Sequence, residues 1–329
     1  MTGEPQQAIL DALTRRHLLP PGTAPRIELV HDVDGKSSYR VDWAGDGIFV
    51  KRGVPHWSQV EAGIQQALAP VVPELALPVL ATLPEIHGFA MPFVAAERAR
   101  PWRAAQRGLG CDAATLAARV GDRLGHFHAR TAGNRAIEAA AEPNRDRIAD
   151  MRRSLLWNCV QHVPATARAV RDAFTTFARR TALAHGDANL SNLLVGPDAV
   201  TIVDFEKAWY GDPAFDCGWM LASLVRYAIR SRAAEARARL PDAVRAAGLA
   251  WSAHVAWEDR QAAEGRAVAI ALARTVAAHV DQLQRIGGAA PPPVVEDIAC
   301  IVRMLLATPL GIVEFADRLA AERFGGAGH

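Results

Sequence analysis

The sequence predicts an α+β protein with two lobes, a small antiparallel sheet followed by a mainly helical part. The first third of the chain alternates strand-like runs with Asp-Gly turns, whereas the rest is rich in Ala, Arg and Leu at helical spacing. Residues 182–206 interrupt the helical part with two apolar runs around a Gly-Pro-Asp turn, which predicts an embedded hairpin. We place the boundary between an N-terminal lobe, residues 1–94, and a C-terminal lobe, residues 95–329.

The composition is that of a globular chain. Its 329 residues are 50% hydrophobic and 22% charged, with a formal net charge of +2, which excludes a disordered or collagen-like chain. No Lys/Arg-dense stripe provides a nucleic-acid footprint, and no apolar run reaches the roughly 20 residues of a membrane span. The four cysteines lie far apart without a C-x-x-C pair, so we expect no zinc site, no disulfide and a cytoplasmic location.

The N-terminal lobe is predicted element by element. The runs R-I-E-L-V-H-D, S-Y-R-V-D-W and G-I-F-V-K-R read as three strands of a meander, separated by Asp-Gly turns. Pro55 suits the first turn of a helix in which Val60, Ile64 and Leu68 share one apolar face. The runs L-P-V-L-A-T-L and H-G-F-A-M-P-F-V then predict two further strands.

Oxygen ligands surround the predicted hairpin. Asp187 and Asn192 precede its first strand and Asp204 closes its second, so the three can converge at one end of the ribbon. Two carboxylates and a carboxamide oxygen suit Mg²⁺, which prefers oxygen ligands. His185 has no second nitrogen or sulfur ligand beside it, which argues against zinc.

This segment resembles the aminoglycoside phosphotransferase and choline kinase family, small-molecule kinases with a protein-kinase-like fold. The likeness rests on H-G-D-x-x-x-x-N at 185–192 and D-F-E at 204–206, which are similar to the catalytic loop and metal-binding segment of that family. G-D-P-A-F-D at 211–216 and L-G-H-F-H-A-R at 124–130 resemble two further family segments.

The resemblance implies ATP-dependent transfer of the γ-phosphoryl group to a hydroxyl of a small molecule. Asp187 would be the catalytic residue that accepts or orients the proton of the acceptor hydroxyl. Asn192 and Asp204 would hold Mg²⁺, and the ion would bridge the phosphates of ATP.

Several neighbouring residues have two interpretations. By resemblance, Asp216 would hydrogen-bond the backbone of the catalytic loop, although an ordinary helix N-cap would make similar contacts. Glu206 is either a group beside the metal or an ion-pair partner of Lys207. His126 and His128 lie two apart, on different faces of a helix, so we expect no joint metal site and a buried structural role for His128.

The resemblance also implies a nucleotide site in the N-terminal lobe. Lys51 would hold the α- and β-phosphates and Glu61 would orient it, the alternative for Glu61 being a solvated helix glutamate. The turn between the first two strands lacks the G-x-G-x-x-G pattern of protein kinases. Ser37 and Ser38, together with Lys36, are candidates there for phosphate contact through side chains or backbone amides.

The last strand of the sheet should end at a hinge, where backbone groups of Phe93 and Val94 would meet adenine. Lysine occurs only at positions 36, 51 and 207, whereas every other basic position holds Arg. All three lysines fall in the segments that carry the predicted chemistry.

The acceptor should lie among the helices after residue 95. We find no acidic run after Glu206 of the kind that would favour a polycation, so the expected acceptor is a small hydroxylated molecule: sugar-like, an amino alcohol or aminoglycoside-like. Trp209, Tyr210 and Trp219 could stack on a sugar face, or could simply belong to the core.

Two other functions remain open from the residues alone. A nucleotide-binding pseudokinase or regulatory module would be favoured by loss of Asp187, Asn192, Asp204 or Lys51, all of which are present. A protein kinase is disfavoured by the missing glycine-rich loop and by the lack of an activation segment after Asp204.

Overall fold

A computed structural model gives the three-dimensional arrangement of the chain. The structure describes residues 4–33, 35–94, 97–98, 111–196, 199–231, 234–286, 292–307 and 309–321. The predicted α+β architecture is confirmed, because a five-stranded antiparallel sheet precedes a mainly helical part with an embedded hairpin.

The N-terminal sheet has the order β1-β2-β3-β5-β4, and every neighbouring pair is antiparallel. Its strands are β1 (Arg26–Val33), β2 (Lys36–Trp43), β3 (Asp46–Arg52), β4 (Ala81–Leu83) and β5 (Gly88–Pro92). The predicted meander is therefore confirmed. The fourth strand is shorter than predicted, since Leu77 to Leu80 precede it as irregular chain.

An N-terminal helix that the sequence reasoning missed covers this sheet. Helix α1 (Glu4–Arg15) buries Ile9, Ala12 and Leu13 in one core with strand residues such as Val41 and Val50. The i, i+3, i+4 spacing of these three residues is the signal that could have predicted the helix.

Helix α2 (Pro55–Leu68) starts at Pro55, as predicted. Its Val60, Ile64 and Leu68 are buried, but in the large core of the C-terminal lobe and not in the core of the sheet. Residues on both sides of position 94 therefore pack in one core. The division of the chain at residue 94 stays a prediction.

The remaining elements form the C-terminal lobe. Its helices are α3 (Ala113–Thr131), α4 (Arg135–Ala141), α5 (Arg145–His162), α6 (Ala167–Ala173), α7 (Ala214–Ser231), α8 (Ala234–Ala238), α9 (Leu240–Ser252), α10 (Arg260–Ile286), α11 (Pro292–Leu306) and α12 (Ile312–Ala321). Its short strands are β6 (Glu97–Arg98), β7 (Ala182–Ala184), β8 (Leu193–Val195), β9 (Val200–Ile202) and β10 (Trp209–Gly211).

The predicted hairpin is formed by β8 and β9, which pair antiparallel with Leu193 opposite Ile202. The Pro and Asp of its predicted turn, residues 197–198, lie outside the described residues. A second ladder, β7 with β10, was not predicted. The two ladders bracket residues 185–192, so the ends of four short strands position this loop.

A buried hydrogen-bonded cluster ties the loop to the helices. Asp216, in the first turn of α7, accepts from the backbone N–H groups of His185 and Gly186, the latter at 2.9 Å. Trp251 Nε1 donates to His128 Nδ1 at 3.0 Å, so the ring proton of neutral His128 is on Nε2, which lies 3.0 Å from Asp216 Oδ2. The hydrogen bonds predicted for Asp216 are present, and His128 is fully buried as expected.

Two further expectations concern the whole chain. The four cysteines are free thiols, as their spacing predicted. Among the described residues, no helix combines the length and the apolar character needed to cross a membrane.

Helices α3 and α9 approach so closely that Gly121 has no room for a side chain. A Cβ there would lie 2.0 Å from the carbonyl oxygen of Ala247, whereas a Cβ at Gly63 on α2 would meet nothing within 4 Å. We expect Gly121→Ala to lower the free energy of unfolding by about 1–3 kcal/mol through overpacking. Gly63→Ala, the matched control, should raise it by up to about 1 kcal/mol. Urea unfolding of both variants tests this, and equal effects would contradict the close approach.

Asp216→Ala should be more damaging than loss of an exposed capping carboxylate. It leaves two buried backbone N–H groups and His128 without their acceptor, so we expect a loss of about 2–5 kcal/mol in the free energy of unfolding. The control is Asp112→Ala, which removes only the N-cap bond to the Thr115 N–H of α3 and should cost about 1 kcal/mol. Similar losses in the two variants would refute the anchoring role of Asp216.

Candidate active site

The loop after β7 depends on a glycine. Gly186 has φ +77°, and a Cβ there would lie 2.0 Å from the carbonyl oxygen of Lys207. His185 Nδ1 accepts from the Asp187 N–H at 3.2 Å, which leaves the proton on Nε2, 2.9 Å from the carbonyl oxygen of Val203. The His-Gly pair therefore orients the backbone that carries Asp187.

Three donors surround the Asp187 carboxylate. Lys207 Nζ lies 2.9 Å from Oδ2, Trp219 Nε1 donates to Oδ1 at 3.0 Å, and Arg152 Nη2 lies 3.4 Å from Oδ1. Burial alone would raise the pKa of Asp187, but Arg152 and Lys207 outweigh burial and hold that pKa well below its usual range. Asp187 is therefore an ionised acceptor at neutral pH.

Asn192 and Asp204 lie at the same end of the hairpin, as predicted, because the Val203 N–H donates to the Asn192 carbonyl oxygen at 3.0 Å. Asn192 Nδ2 donates to the carbonyl oxygen of Asp187 at 3.0 Å, which leaves the carboxamide oxygen as a possible metal ligand. Asp204 adopts a left-handed conformation, φ +73°, two residues after the end of β9. A carboxylate and a carboxamide oxygen fit the ligand preference of Mg²⁺.

Lys51 joins the sheet to this segment. Its Nζ lies 2.7 Å from Glu61 Oε2, contacts Asp204 Oδ1 and is 3.9 Å from Glu206. Burial acts to lower the pKa of Lys51, but the three carboxylates outweigh it and raise that pKa. Burial raises the pKa of Glu61 to about 7, against the opposing effect of Lys51. Glu61 is thus a buried ion-pair partner and not a solvated helix residue.

The three carboxylates around Lys51 form one acidic cluster. One oxygen of each of Glu61, Asp204 and Glu206 lies within 4.8 Å of the others. Glu206 is also paired with Lys36, whose Nζ is 2.7 Å from Oε2, and lies 3.6 Å from Lys207. Glu206 therefore forms the expected ion pair with Lys207, but its shorter contact is with Lys36.

Ser37 and Ser38 lie within a strand and not in the turn where their contact with phosphate was expected. Both lie on β2, paired with Arg52 and Lys51 of β3, and both are buried. Lys36 is the first residue of the same strand and points to Glu206.

The hinge residues directly follow β5. The Phe93 N–H donates to the carbonyl oxygen of Gly47 at 3.1 Å, so this donor is already used within the sheet. The Arg40 guanidinium lies 4.1 Å from the centre of the Phe93 ring. Val94 is half-buried beside it.

The aromatic residues near the site belong to the core. Trp209, Tyr210 and Trp219 are each at most 4% exposed, so stacking of a sugar on Trp209 or Tyr210 is wrong. Both rings are covered by the packing of β10 against its neighbours. Trp219 is buried too, but its indole N–H reaches the carboxylate of Asp187.

Two residues that the sequence reasoning missed hold the site together. Arg152 on α5 is 7% exposed, and it donates to the carbonyl oxygen of Gly186 besides contacting Asp187. Asn144 Nδ2 donates at 2.9 Å to the carbonyl oxygens of Glu206 and Ala208. No local pattern marks either residue, since their partners lie more than 30 positions away.

Comparisons with known proteins identify the fold. Among solved structures, the chain is similar to a choline/ethanolamine kinase family protein from Mesorhizobium loti, with TM-score 0.52 and 19% identity over 97% of this chain and 100% of that chain. It is also similar to a spectinomycin phosphotransferase bound to ADP and spectinomycin, with TM-score 0.53 and 14% identity over 95% and 98%. An amicoumacin kinase in complex with AMP-PNP, Ca²⁺ and Ami gives TM-score 0.54 and 12% identity over 95% and 97%.

These likenesses show that the chain has the protein-kinase-like fold of small-molecule kinases. Among curated protein sequences, none is similar enough to match the chain. The model of the phosphotransferase enzyme family matches residues 27–251, which is more than half of the chain. The chain, with its His-Gly-Asp loop and its Lys51–Glu61 ion pair, therefore belongs to the phosphotransferase enzyme family.

Proposed function

We propose that this protein transfers the γ-phosphoryl group of ATP to a hydroxyl of a small molecule. The observation that carries the proposal is a continuous chain of contacts between Asp187 and Lys51. Asp187 pairs with Lys207, Lys207 lies 3.6 Å from Glu206, and Glu206 lies 3.9 Å from Lys51. One site thus holds an ionised carboxylate for the acceptor and a cation for phosphates.

Each group has a defined task in this proposal. Asp187 receives or orients the hydroxyl proton, and its low pKa keeps it ionised for that task. Lys51 holds the α- and β-phosphates, with Glu61 orienting its ammonium group. Asn192 and Asp204 would hold Mg²⁺, which, when bound, would neutralise charge on the phosphates. Positioning and charge neutralisation do most of the catalysis.

The nucleotide would lie against the sheet. Adenine would contact the backbone of Phe93 and Val94, through carbonyl oxygens or the Val94 N–H, since the Phe93 N–H is already bonded. Ser37 and Ser38 are buried, which favours a phosphate contact through backbone amides over one through hydroxyls. The spectinomycin phosphotransferase with ADP and the amicoumacin kinase with AMP-PNP and Ca²⁺ support a nucleotide and a divalent cation here.

A pseudokinase or regulatory module is the alternative. The presence of all four residues, Asp187, Asn192, Asp204 and Lys51, favours an enzyme. We keep residues 1–94 as the nucleotide-binding lobe, residues 95–329 as the lobe of the acceptor, and the cytoplasm as the location inferred from the cysteines.

Asp187→Asn tests the catalytic assignment. An acceptor is first found by measuring ATP consumption against pools of sugars, amino alcohols, aminoglycosides and nucleosides. With that acceptor, Asp187→Asn should lower kcat by about 10²–10⁴-fold, because it removes the group that acts on the hydroxyl proton. Binding of Mg-ATP should change little.

The matched control is Asp150→Asn, an exposed carboxylate on α5 that pairs only with Arg153. It should leave kcat unchanged. Normal turnover of Asp187→Asn would refute the catalytic assignment.

Lys51→Met and Glu61→Gln test the nucleotide site. Lys51→Met should weaken ATP binding or lower kcat strongly, and Glu61→Gln should do the same more mildly. Because both substitutions disrupt one ion pair, the free-energy losses in the double variant should be less than additive. Steady-state kinetics with varied ATP measure both effects. Fully additive losses would mean that the pair does not act as a unit on the nucleotide.

A further inference from the structure

Two arginines flank the indole that donates to Asp187. The guanidinium carbons of Arg152 on α5 and Arg274 on α10 each lie 4.5 Å from the centre of the Trp219 ring on α7. Helix α10 packs against both α5 and α7. The side of Asp187 that faces these helices is therefore bordered by guanidinium groups.

Two further arginines lie farther along α7. Arg226 follows Trp219 by seven residues on one face of α7, about 10 Å along the helix axis. Arg226 and Arg230 line a cleft among α7, α10 and α11, together with Thr275, His279 and Gln282. The cleft has about 240 Å³ of open space, solvent included.

The arginines in this region outnumber the carboxylates that act on them. Within the described part of the chain, Arg226 and Arg274 form no ion pair, and Arg274 Nε and His279 Nε2 are buried without a hydrogen-bond partner. Asp187 is already paired with Arg152 and Lys207. Asp281 is the other carboxylate close enough to act on both arginines.

Burial and repulsion between neighbouring arginines lower the pKa of Arg226 and of Arg274. Burial and then Arg230 lower the pKa of Arg226 to about 10. Burial, then Arg226 and Arg152, lower the pKa of Arg274 to about 9. Both guanidinium groups stay charged at neutral pH, and the four arginines, Arg152, Arg226, Arg230 and Arg274, outnumber the two carboxylates, Asp187 and Asp281, that act on Arg226 and Arg274.

An anion would relieve this repulsion. A guanidinium group binds carboxylate or phosphate oxygens through paired N–H donors, and such bonds strengthen away from bulk water. A cationic acceptor, such as an amino alcohol or an aminoglycoside, would add to the repulsion.

We propose that the phosphoryl acceptor carries an anionic group, a carboxylate or a phosphate, that Arg226 and Arg274 bind while its hydroxyl faces Asp187. This inference rests on the proposed function and narrows its acceptor to hydroxylated anions.

Anion binding tests the inference without knowledge of the acceptor. The protein is first saturated with AMP-PNP and Mg²⁺, so that the nucleotide site is filled. Sodium phosphate or sodium malonate is then added at constant ionic strength while Tm is measured. Either anion should raise the Tm of the wild type, and the one that binds more tightly identifies the anionic group as phosphate or carboxylate.

Arg226→Gln and Arg274→Gln should each weaken that binding by at least about tenfold. Arg245→Gln is the matched control, because Arg245 lies on α9 and pairs with Asp317 at the surface; it should bind the anion like wild type. No rise in the Tm of the wild type, or the same rise in all variants, would overturn the inference. Whether AMP-PNP itself raises Tm is a separate readout, and failure there counts against the proposed function.

Transfer assays provide a second test. ATP is incubated with the protein and three sets of acceptors: gluconate with glucose 6-phosphate, glucose with xylitol, and glucosamine with ethanolamine. Faster phosphorylation of the anionic set supports the inference. Faster phosphorylation of the neutral or cationic set overturns it and leaves the proposed function intact.

Discussion

Pairing of buried carboxylates with the three lysines organises the site. Lys36 and Lys51 come from adjacent strands of the N-terminal sheet and contact Glu206 and Asp204 of the C-terminal lobe, while Lys207 contacts Asp187. A buried carboxylate without a partner is costly, so each contact constrains where the two lobes meet. Lysine suits these positions because its compact ammonium group can serve several carboxylates at once, as Lys51 does.

Helix α2 connects the ion pairs of the sheet to the large core of the C-terminal lobe. Its Glu61 contacts Lys51 of the sheet, whereas Ile64 and Leu68 pack with the helices of the C-terminal lobe. A shift of the sheet relative to the helices would therefore stretch a buried ion pair or open an apolar contact. On the opposite side, Asp216 anchors the loop of residues 185–192 to α7 through two backbone N–H groups. The loop is thus held by charge from the sheet side and by hydrogen bonds from the helix side.

The two halves of the site differ in charge balance. Around the nucleotide position, lysines alternate with the carboxylates of Glu61, Asp204 and Glu206. Toward the helices, Arg226 and Arg274 form no direct ion pair within the described residues, and Asp187 and Asp281 act on them only from a distance. The part of the site in which lysines and carboxylates balance in charge suits a ligand that brings its own cation, as a nucleotide with Mg²⁺ does. The arginine-rich part suits a free anion. This difference links the proposed phosphoryl transfer to the proposed class of acceptor.

The strands of the first lobe, helix α2, the hairpin and the His-Gly-Asp loop followed from the residues alone, because turn residues and periodicity act over a few positions. Lys51 and Asp187 were selected as candidate site residues from their positions in those elements and from the family likeness. Helix α1 was not predicted, although the spacing of its apolar residues indicates a helix. The roles of Arg152 and Asn144, the Lys36–Glu206 pair and the burial of Ser37 and Ser38 emerged only on folding. Contacts between residues tens to more than a hundred positions apart leave no periodic trace, and the charge balance of a groove depends on which helices face it.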